Sequence, residues 1–70
     1  MEFVKVVFPG ERDVIIDGQL SGKTNTILLV GLGHHVFTLG GDPHYTPPAV
    51  NQLVSGTSIE FPMIIRFEAA

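Results

Sequence analysis

The stretch "TSIEFPMIIRF", Thr57 to Phe67, decides the fold, because its apolar side chains recur at every second position. A period of two predicts a β-strand with one buried face and one solvated face. Pro62 falls in the solvated set and has no N–H to donate, so we expect this strand at a sheet edge or beside a bulge. The predicted buried set is Ile59, Phe61, Met63, Ile65 and Phe67, and the predicted solvated set is Ser58, Glu60, Pro62, Ile64 and Arg66.

Shorter runs of β-branched and aromatic residues precede this one, each bounded by turn-forming residues. "PGER" separates the first two runs, and "GLG" joins the next two as a predicted hairpin. The pattern predicts a single domain, residues 1–70, that is an all-β small antiparallel β-sandwich or open barrel of about six short strands. The earlier runs are "FVKVVF" (Phe3–Phe8), "DVIID" (Asp13–Asp17), "NTILLV" (Asn25–Val30), "HHVFTL" (His34–Leu39) and "AVNQLV" (Ala49–Val54).

The composition is that of a globular chain, since 44% of the 70 residues are hydrophobic and 16% are charged. There is no cysteine, so neither a disulfide nor a Cys-based zinc site can form. The net charge is −3, and the four basic residues are scattered along the chain. A nucleic-acid-binding protein normally needs a basic stripe to neutralise phosphates, so this class is disfavoured.

No run approaches the ~20 apolar residues of a membrane span, and the N-terminal stretch "MEFVKVVFPGERD" has no apolar run of signal-peptide length. We therefore expect a soluble chain with no membrane span. The expected location is the cytoplasm for a complete protein, and the envelope for a piece of a longer secreted one.

The order "DVIIDG", "SGKT", "GLGHHVFTL" and a later tyrosine resembles the PEGA domain, a small bacterial β-sandwich module of similar length. The matching residues are Asp17-Gly18, Gly22 with Thr24, Gly33 with His35, Phe37 and Leu39, and Tyr45. "PGER", Pro9 to Arg12, stands where the family has Pro-Glu-Gly-Ala. The resemblance implies a non-enzymatic β-sandwich, typically found in bacterial surface or envelope proteins, and it brings no catalytic residue to this chain.

The letters Gly22-Lys23-Thr24 match the end of a phosphate-binding P-loop, which needs another glycine five residues earlier and a helix afterwards. Asp17 occupies the first of those positions, and the strand-like "NTILLV" follows Thr24. The favoured interpretation is a strand end at "IIDG" and a second turn at "SGKT". In it Gly18 and Gly22 supply positive φ, and Lys23 is an exposed tip.

The histidines are the candidate metal ligands. His34 and His35 are adjacent on a predicted strand and point to opposite faces, so they cannot bind one ion together. His34 or His44 with Asp42 would form at most a weak loop site for zinc or nickel, and the favoured interpretation is that there is no metal site. His35 shares a face with Phe37 and is predicted to be partly buried and bonded to backbone. If burial lowers the pKa of His35, stability falls at acid pH.

No serine, histidine and aspartate lie in a catalytic motif such as a nucleophile elbow, so we predict neither an enzyme nor a cofactor. The segment "GGDPHYTPP", Gly40–Pro48, is the longest irregular stretch and the best candidate for contact with a partner. Tyr45 would stack on a sugar or anchor a protein interface there. The favoured alternative is that Tyr45 plugs the open end of the sandwich.

Low charge and the outward-leaning Ile64 point to self-association through paired edges or an apolar patch, unless the first strand covers Ile64. We predict a non-catalytic interaction module that presents loops and edge strands to a protein or glycan partner. The alternatives are a small assembly subunit acting through homo-oligomerisation, and a metal- or small-molecule-binding domain using the His44–Tyr45 loop. The predicted contact residues are His44, Tyr45, Pro47, Pro48 and Ile64.

Overall fold

Strands joined by turns and irregular segments make up the chain in the computed structural model, which describes residues 1–70 and contains no helix. None of its segments is therefore a helix able to span a bilayer. There are nine strands rather than the predicted six. Two of the additional strands, Tyr45–Thr46 and Glu68–Ala69, are only two residues long, and the third, Gln19–Lys23, includes residues that were predicted to form a turn. The nine strands are β1 Glu2–Val7, β2 Asp13–Ile16, β3 Gln19–Lys23, β4 Ile27–Val30, β5 Gly33–Leu39, β6 Tyr45–Thr46, β7 Val50–Val54, β8 Met63–Arg66 and β9 Glu68–Ala69.

The strands form a three-stranded sheet in the order β4-β1-β8, a four-stranded sheet in the order β3-β2-β5-β7, and a small pair, β6-β9. All neighbours are antiparallel except β1 and β8, which run parallel. The two larger sheets face each other across one apolar core, so the predicted all-β sandwich is confirmed. Its buried members are Val4, Val6, Leu28, Val30, Ile65 and Phe67 on one side and Val14, Ile16, Phe37, Leu39 and Val54 on the other.

The alternation that opened the sequence analysis holds only in its second half. Ile65 and Phe67 are buried, and β8 is an edge strand, as Pro62 predicts. Ile59 and Phe61 were expected in the core, but they are 65% and 78% exposed. The backbones of Ser58 and Phe61 exchange two hydrogen bonds, of 3.3 and 3.1 Å, so the chain turns there and the strand begins only at Met63.

The predicted hairpin at "GLG" is wrong, because β4 and β5 belong to different sheets. Gly31 to Gly33 carries the chain across the edge of the sandwich, and the φ angle of Gly33 is 129°. The apolar content of β4 and β5 shows that both strands pack against a core. It does not show whether two apolar faces lie side by side in one sheet or opposite each other across the core.

The predicted second turn at "SGKT" begins later than expected, because Ser21 to Lys23 continue strand β3 beyond a tight β2–β3 hairpin and the chain turns only from Thr24. Gly22 has the predicted positive φ, 151°. Asp17 and Gly18 form that hairpin turn with φ angles of 53° and 81°, as a two-residue turn of this kind requires. The ladder shifts register near Gly22, where an added Cβ would lie 2.5 Å from Leu28 Cδ2. A glycine at this position lets β3 pack closely over β4.

Candidate functional site

Three loops meet at the end of the sandwich that we call the Tyr45 end: residues 8–12, 24–26 and 40–44. Thr24, 3% exposed, is the one buried polar residue, and its hydroxyl accepts from Arg12 N at 2.9 Å and donates to Gly10 O at 2.8 Å. Thr24 N also donates to Arg12 O at 2.9 Å. Thr24, which ends the P-loop-like sequence Gly22-Lys23-Thr24, therefore holds the β1–β2 loop in place, and no helix follows it.

Arg12 ties the first of these loops to the third. Its Nε donates to Gly40 O at 2.8 Å, and its Nη2 donates to Gly40 O and to Asp42 O. The guanidinium also lies 5.4 Å from the ring centroid of Phe8 and 5.6 Å from that of Tyr45, within the range of cation–π contacts. Arg12 thus fixes the start of the long proline-bearing segment.

Tyr45 occupies the plug position that the sequence analysis favoured. Its hydroxyl donates to Leu39 O and accepts from Leu39 N, each at 3.2 Å, and its ring meets Phe67 edge-to-face at 5.4 Å. Its backbone forms strand β6 against β9. The hydroxyl and one edge of the ring are thus engaged within the chain, which weakens the case for sugar stacking on Tyr45.

Of the proposed loop ligands, Asp42 and His44 lie together and His34 lies apart from them. His44 Nδ1 is 2.8 Å from Asp42 Oδ1, and both side chains are exposed. His34 lies at the opposite end of β5 and faces Leu53 on the neighbouring strand. No group of three His, Asp or Glu side chains is placed to hold a metal ion.

The other end, the His35 end, contains a pairing that the sequence analysis missed. His35 Nδ1 is 2.6 Å from Asp17 Oδ2, and His35 Nε2 is 2.7 Å from Gly31 O. Asp17 also accepts from Val36 N at 2.8 Å through Oδ1 and donates from its own N to Val36 O at 2.8 Å. The pair connects the β2–β3 hairpin, the β4–β5 crossover and strand β5.

Both ring nitrogens of His35 face acceptors, so both contacts are hydrogen bonds only when the ring is protonated. The hydrogen bond that His35 donates to Asp17, followed by the one that it donates to Gly31 O, raises the pKa of His35. The hydrogen bonds from His35 and then from Val36 N lower the pKa of Asp17. The expected lowering of the His35 pKa by burial is therefore wrong, because the carboxylate outweighs the modest desolvation. Asp17 and His35 both lie in the motifs that resemble the PEGA domain. This was the one feature of the sequence that could have indicated the pair.

The outer side of the three-stranded sheet has a contiguous apolar surface, which we call the outer face: Phe3, Ile27, Leu29 and Ile64 around Lys5. The register places Lys5 between Ile27 on β4 and Ile64 on β8, and Phe3 beside Leu29. Leu29 is 56% exposed and Ile64 is 49% exposed, so the first strand does not cover Ile64. Lys5 is the one charged residue within this surface.

An open cleft of about 400 Å³ lies where β1 and β8 diverge at the Tyr45 end. Phe67 forms part of its lining, with Phe8, Arg66 and Glu68 around it. Phe8 already packs against Arg12, and the backbone of Glu68 pairs with Thr46. The cleft is thus bounded largely by groups with partners inside the chain.

No family model, curated protein or solved structure matches this chain. The resemblance to the PEGA domain stays a prediction that depends on the motif letters.

Proposed function

We propose that this chain is a non-catalytic protein-binding module that contacts its partner through the outer face. The observation that carries the proposal is the exposure of Ile27, Leu29 and Ile64 on one side of the three-stranded sheet, with Phe3 among them. Contiguous apolar surfaces of this kind mark interaction sites in small domains. Burying them against a partner would contribute about 25 cal/mol for each Å² removed from water.

The chemistry of the outer face favours a protein over a glycan. Sugar recognition uses an exposed aromatic ring beside several hydrogen-bonding groups, whereas this surface is mainly aliphatic. Tyr45, the aromatic residue first considered for stacking, is held by Leu39, Phe67 and Arg12. A partner with an apolar surface and a carboxylate near Lys5 fits best.

The rest of the molecule supports a scaffold role. Thr24 and Arg12 hold the loops at one end, and Asp17 and His35 hold the hairpin at the other. Lys23, Thr24 and Tyr45, which drew attention in the sequence, thus have partners within the chain. The resemblance to the PEGA domain implies a non-enzymatic module as well.

The test uses the domain as an immobilised bait in an extract of its source cells. The bait variants are Ile64→Lys, which places a charge in the outer face, and Leu53→Lys as the matched control. Leu53 is 46% exposed on the other sheet, so its replacement costs a similar amount of apolar surface elsewhere. We expect the wild type and Leu53→Lys to retain a protein that Ile64→Lys does not retain.

The retained protein is then purified and its affinity measured directly. We expect Ile64→Lys to weaken binding about tenfold or more, as for a central interface residue, and Leu53→Lys to leave it within about twofold. Equal binding by both variants, or no protein retained by the wild type, would contradict the proposal.

A further inference from the structure

The two larger sheets have four edge strands, and three of them carry features that block pairing with another chain. Strand β3 has a register shift beside Gly22 and the charged Lys23. Strand β8 follows Pro62 and ends in Arg66. On strand β7, the partly buried Gln52 donates from Nε2 to Leu53 O at 3.0 Å and so occupies a backbone acceptor.

The fourth edge, β4, has none of these features. Its sequence, Ile27-Leu28-Leu29-Val30, contains no charge, no proline and no register shift against β1. No side-chain hydrogen bond reaches the backbone of these residues. The N–H and C=O groups that point away from β1 are therefore open for pairing.

We propose that two copies of this chain associate through β4, as antiparallel neighbours about a two-fold axis. This joins the two three-stranded sheets into one six-stranded sheet, β8-β1-β4 followed by β4-β1-β8 of the second copy. The inference goes beyond the proposed function, because it assigns a second copy to the open edge that borders the outer face. The outer faces of the two copies then form one continuous surface.

The register follows from the alternation of β4. Leu28 and Val30 point into the core while Ile27 and Leu29 point out, so pairing across the axis must place like-facing residues opposite each other. A register centred on Leu28 pairs Ile27 with Leu29 of the second copy and uses residues 26–30. A register centred on Leu29 would bring in Gly31, whose carbonyl is already bound by His35. The structure therefore favours the register centred on Leu28.

Charge does not oppose this arrangement. The β4 edge has no ionisable side chain, and the nearest one on the outer face, Lys5, lies one strand inward on β1. In the paired sheet the two Lys5 side chains are separated by three strand spacings, about 14 Å, which exceeds the screening length at physiological salt.

The pairing is expected to be weak. A stable dimer usually buries about 800 Å² on each partner, and a strand of this length with its flanking side chains buries less. We therefore expect a dissociation constant between about micromolar and millimolar. Weak pairing of this kind responds strongly to local concentration, for example when several copies are tethered on one surface.

The first experiment is sedimentation equilibrium of the intact chain up to about 1 mM. We expect the wild type to form dimers, Leu29→Lys to weaken association about tenfold or more, and Leu53→Lys to leave it unchanged. Amide spectra of each variant establish that the sandwich is intact. A monomeric wild type, or equal weakening by both variants, overturns the pairing.

The second experiment determines the register by disulfide formation between introduced cysteines. The chain has no cysteine of its own, so no native thiol competes. Ile27→Cys mixed with Leu29→Cys should form a mixed disulfide faster than either variant alone, and Leu53→Cys should form none above background. Preferential self-crosslinking of Leu29→Cys, or crosslinking that does not depend on position, overturns the proposed register.

The two proposals fail separately. Ile64 lies on β8, two strands or about 10 Å from β4, so Ile64→Lys should leave the mixed disulfide intact. A monomeric wild type that still binds its partner through Ile64 removes the pairing only. A dimer whose partner binding ignores Ile64 removes the proposed function of the outer face and leaves the edge pairing in place.

Discussion

The two ends of the sandwich solve the same problem with different chemistry. At the Tyr45 end, a buried hydroxyl, a guanidinium and an aromatic plug hold the loops. At the His35 end, one imidazole and one carboxylate, the latter half-exposed, hold the hairpin and the crossover. The first set keeps its hydrogen bonds from acid to neutral pH, whereas the second needs a protonated histidine and an ionised aspartate at the same time.

The difference shows what a thin core requires. A chain of about this length buries only roughly 60% of its unfolded surface, so its loops need hydrogen bonds or ion pairs in addition to apolar burial. Removing a buried hydrogen-bonding side chain lowers the free energy of unfolding strongly, because its partners stay buried without hydrogen bonds. Removing an exposed ion pair lowers the free energy of unfolding less, since water replaces the lost partner. Such a pair nevertheless makes stability depend on pH.

The largest effect should come from Thr24→Val, which keeps the shape of the side chain and removes its hydroxyl. Arg12 N and Gly10 O would lose their partner inside the structure, so we expect a loss of about 2 kcal/mol in the free energy of unfolding. Urea unfolding followed by circular dichroism measures it. Thr26→Val is the control, because its exposed hydroxyl bonds only to Lys23 O and should cost much less. Equal losses in the two variants would show that burial does not set the cost.

Tyr45→Phe should come next, at about 1 kcal/mol, because it removes two hydrogen bonds to Leu39 and keeps the ring contact with Phe67. The same unfolding measurement applies. If the amide resonance of Leu39 has the same position in the spectra of Tyr45→Phe and the wild type, the hydrogen bond between Leu39 N and the Tyr45 hydroxyl is contradicted.

The pH dependence should sharpen the contrast further. The raised pKa of His35 means that its contribution is complete below its ordinary value of 6.5 and is lost as the pH rises through the higher folded value. The lowered pKa of Asp17 means that its contribution is complete above 3.8 and is lost as the pH falls through the lower folded value. The pair therefore stabilises the fold most between these two ordinary values.

We expect the wild type to unfold at a higher urea concentration near pH 5.5 than near pH 8.5, and Asp17→Asn to reduce this difference. Asparagine tolerates the positive φ of this position, so the turn itself should survive. Asp42→Asn, which removes the exposed partner of His44, should leave the profile unchanged. A wild-type profile that rises from acid to neutral pH would restore the interpretation that burial dominates.

The smallest effect should come from Lys23→Met. Lys23 lies 2.5 Å from Asp13, but both side chains are about half exposed, and pairs of this kind contribute little. We expect no measurable change in the unfolding midpoint in 0.15 M salt. A clear loss that disappears at high salt would show that this surface pair matters more than its exposure indicates.

Sequence reasoning reached the candidate site unevenly. Ile64 was predicted to point outward, and it lies in the outer face as expected. His34, Asp42 and His44 were grouped on closeness in the sequence, yet His34 lies at the far end of β5. Leu29 was not selected, because an apolar residue in a strand is ordinary until its sheet neighbours are known. Asp17 and His35, separated by seventeen intervening residues, were considered separately and were not predicted to pair.

The sequence by itself determined that this is a small all-β domain, because strand periodicity and turn chemistry are local properties of neighbouring residues. It also determined the inward side of β8, through the alternation of Met63 and Ile65 with Ile64 and Arg66. The tertiary structure alone decided that "GLG" crosses between sheets, that "SGK" extends a strand and that Ile59 and Phe61 stay exposed. It also decided the direction of the pKa shift of His35, because pairing partners and nearby charges come from distant parts of the chain.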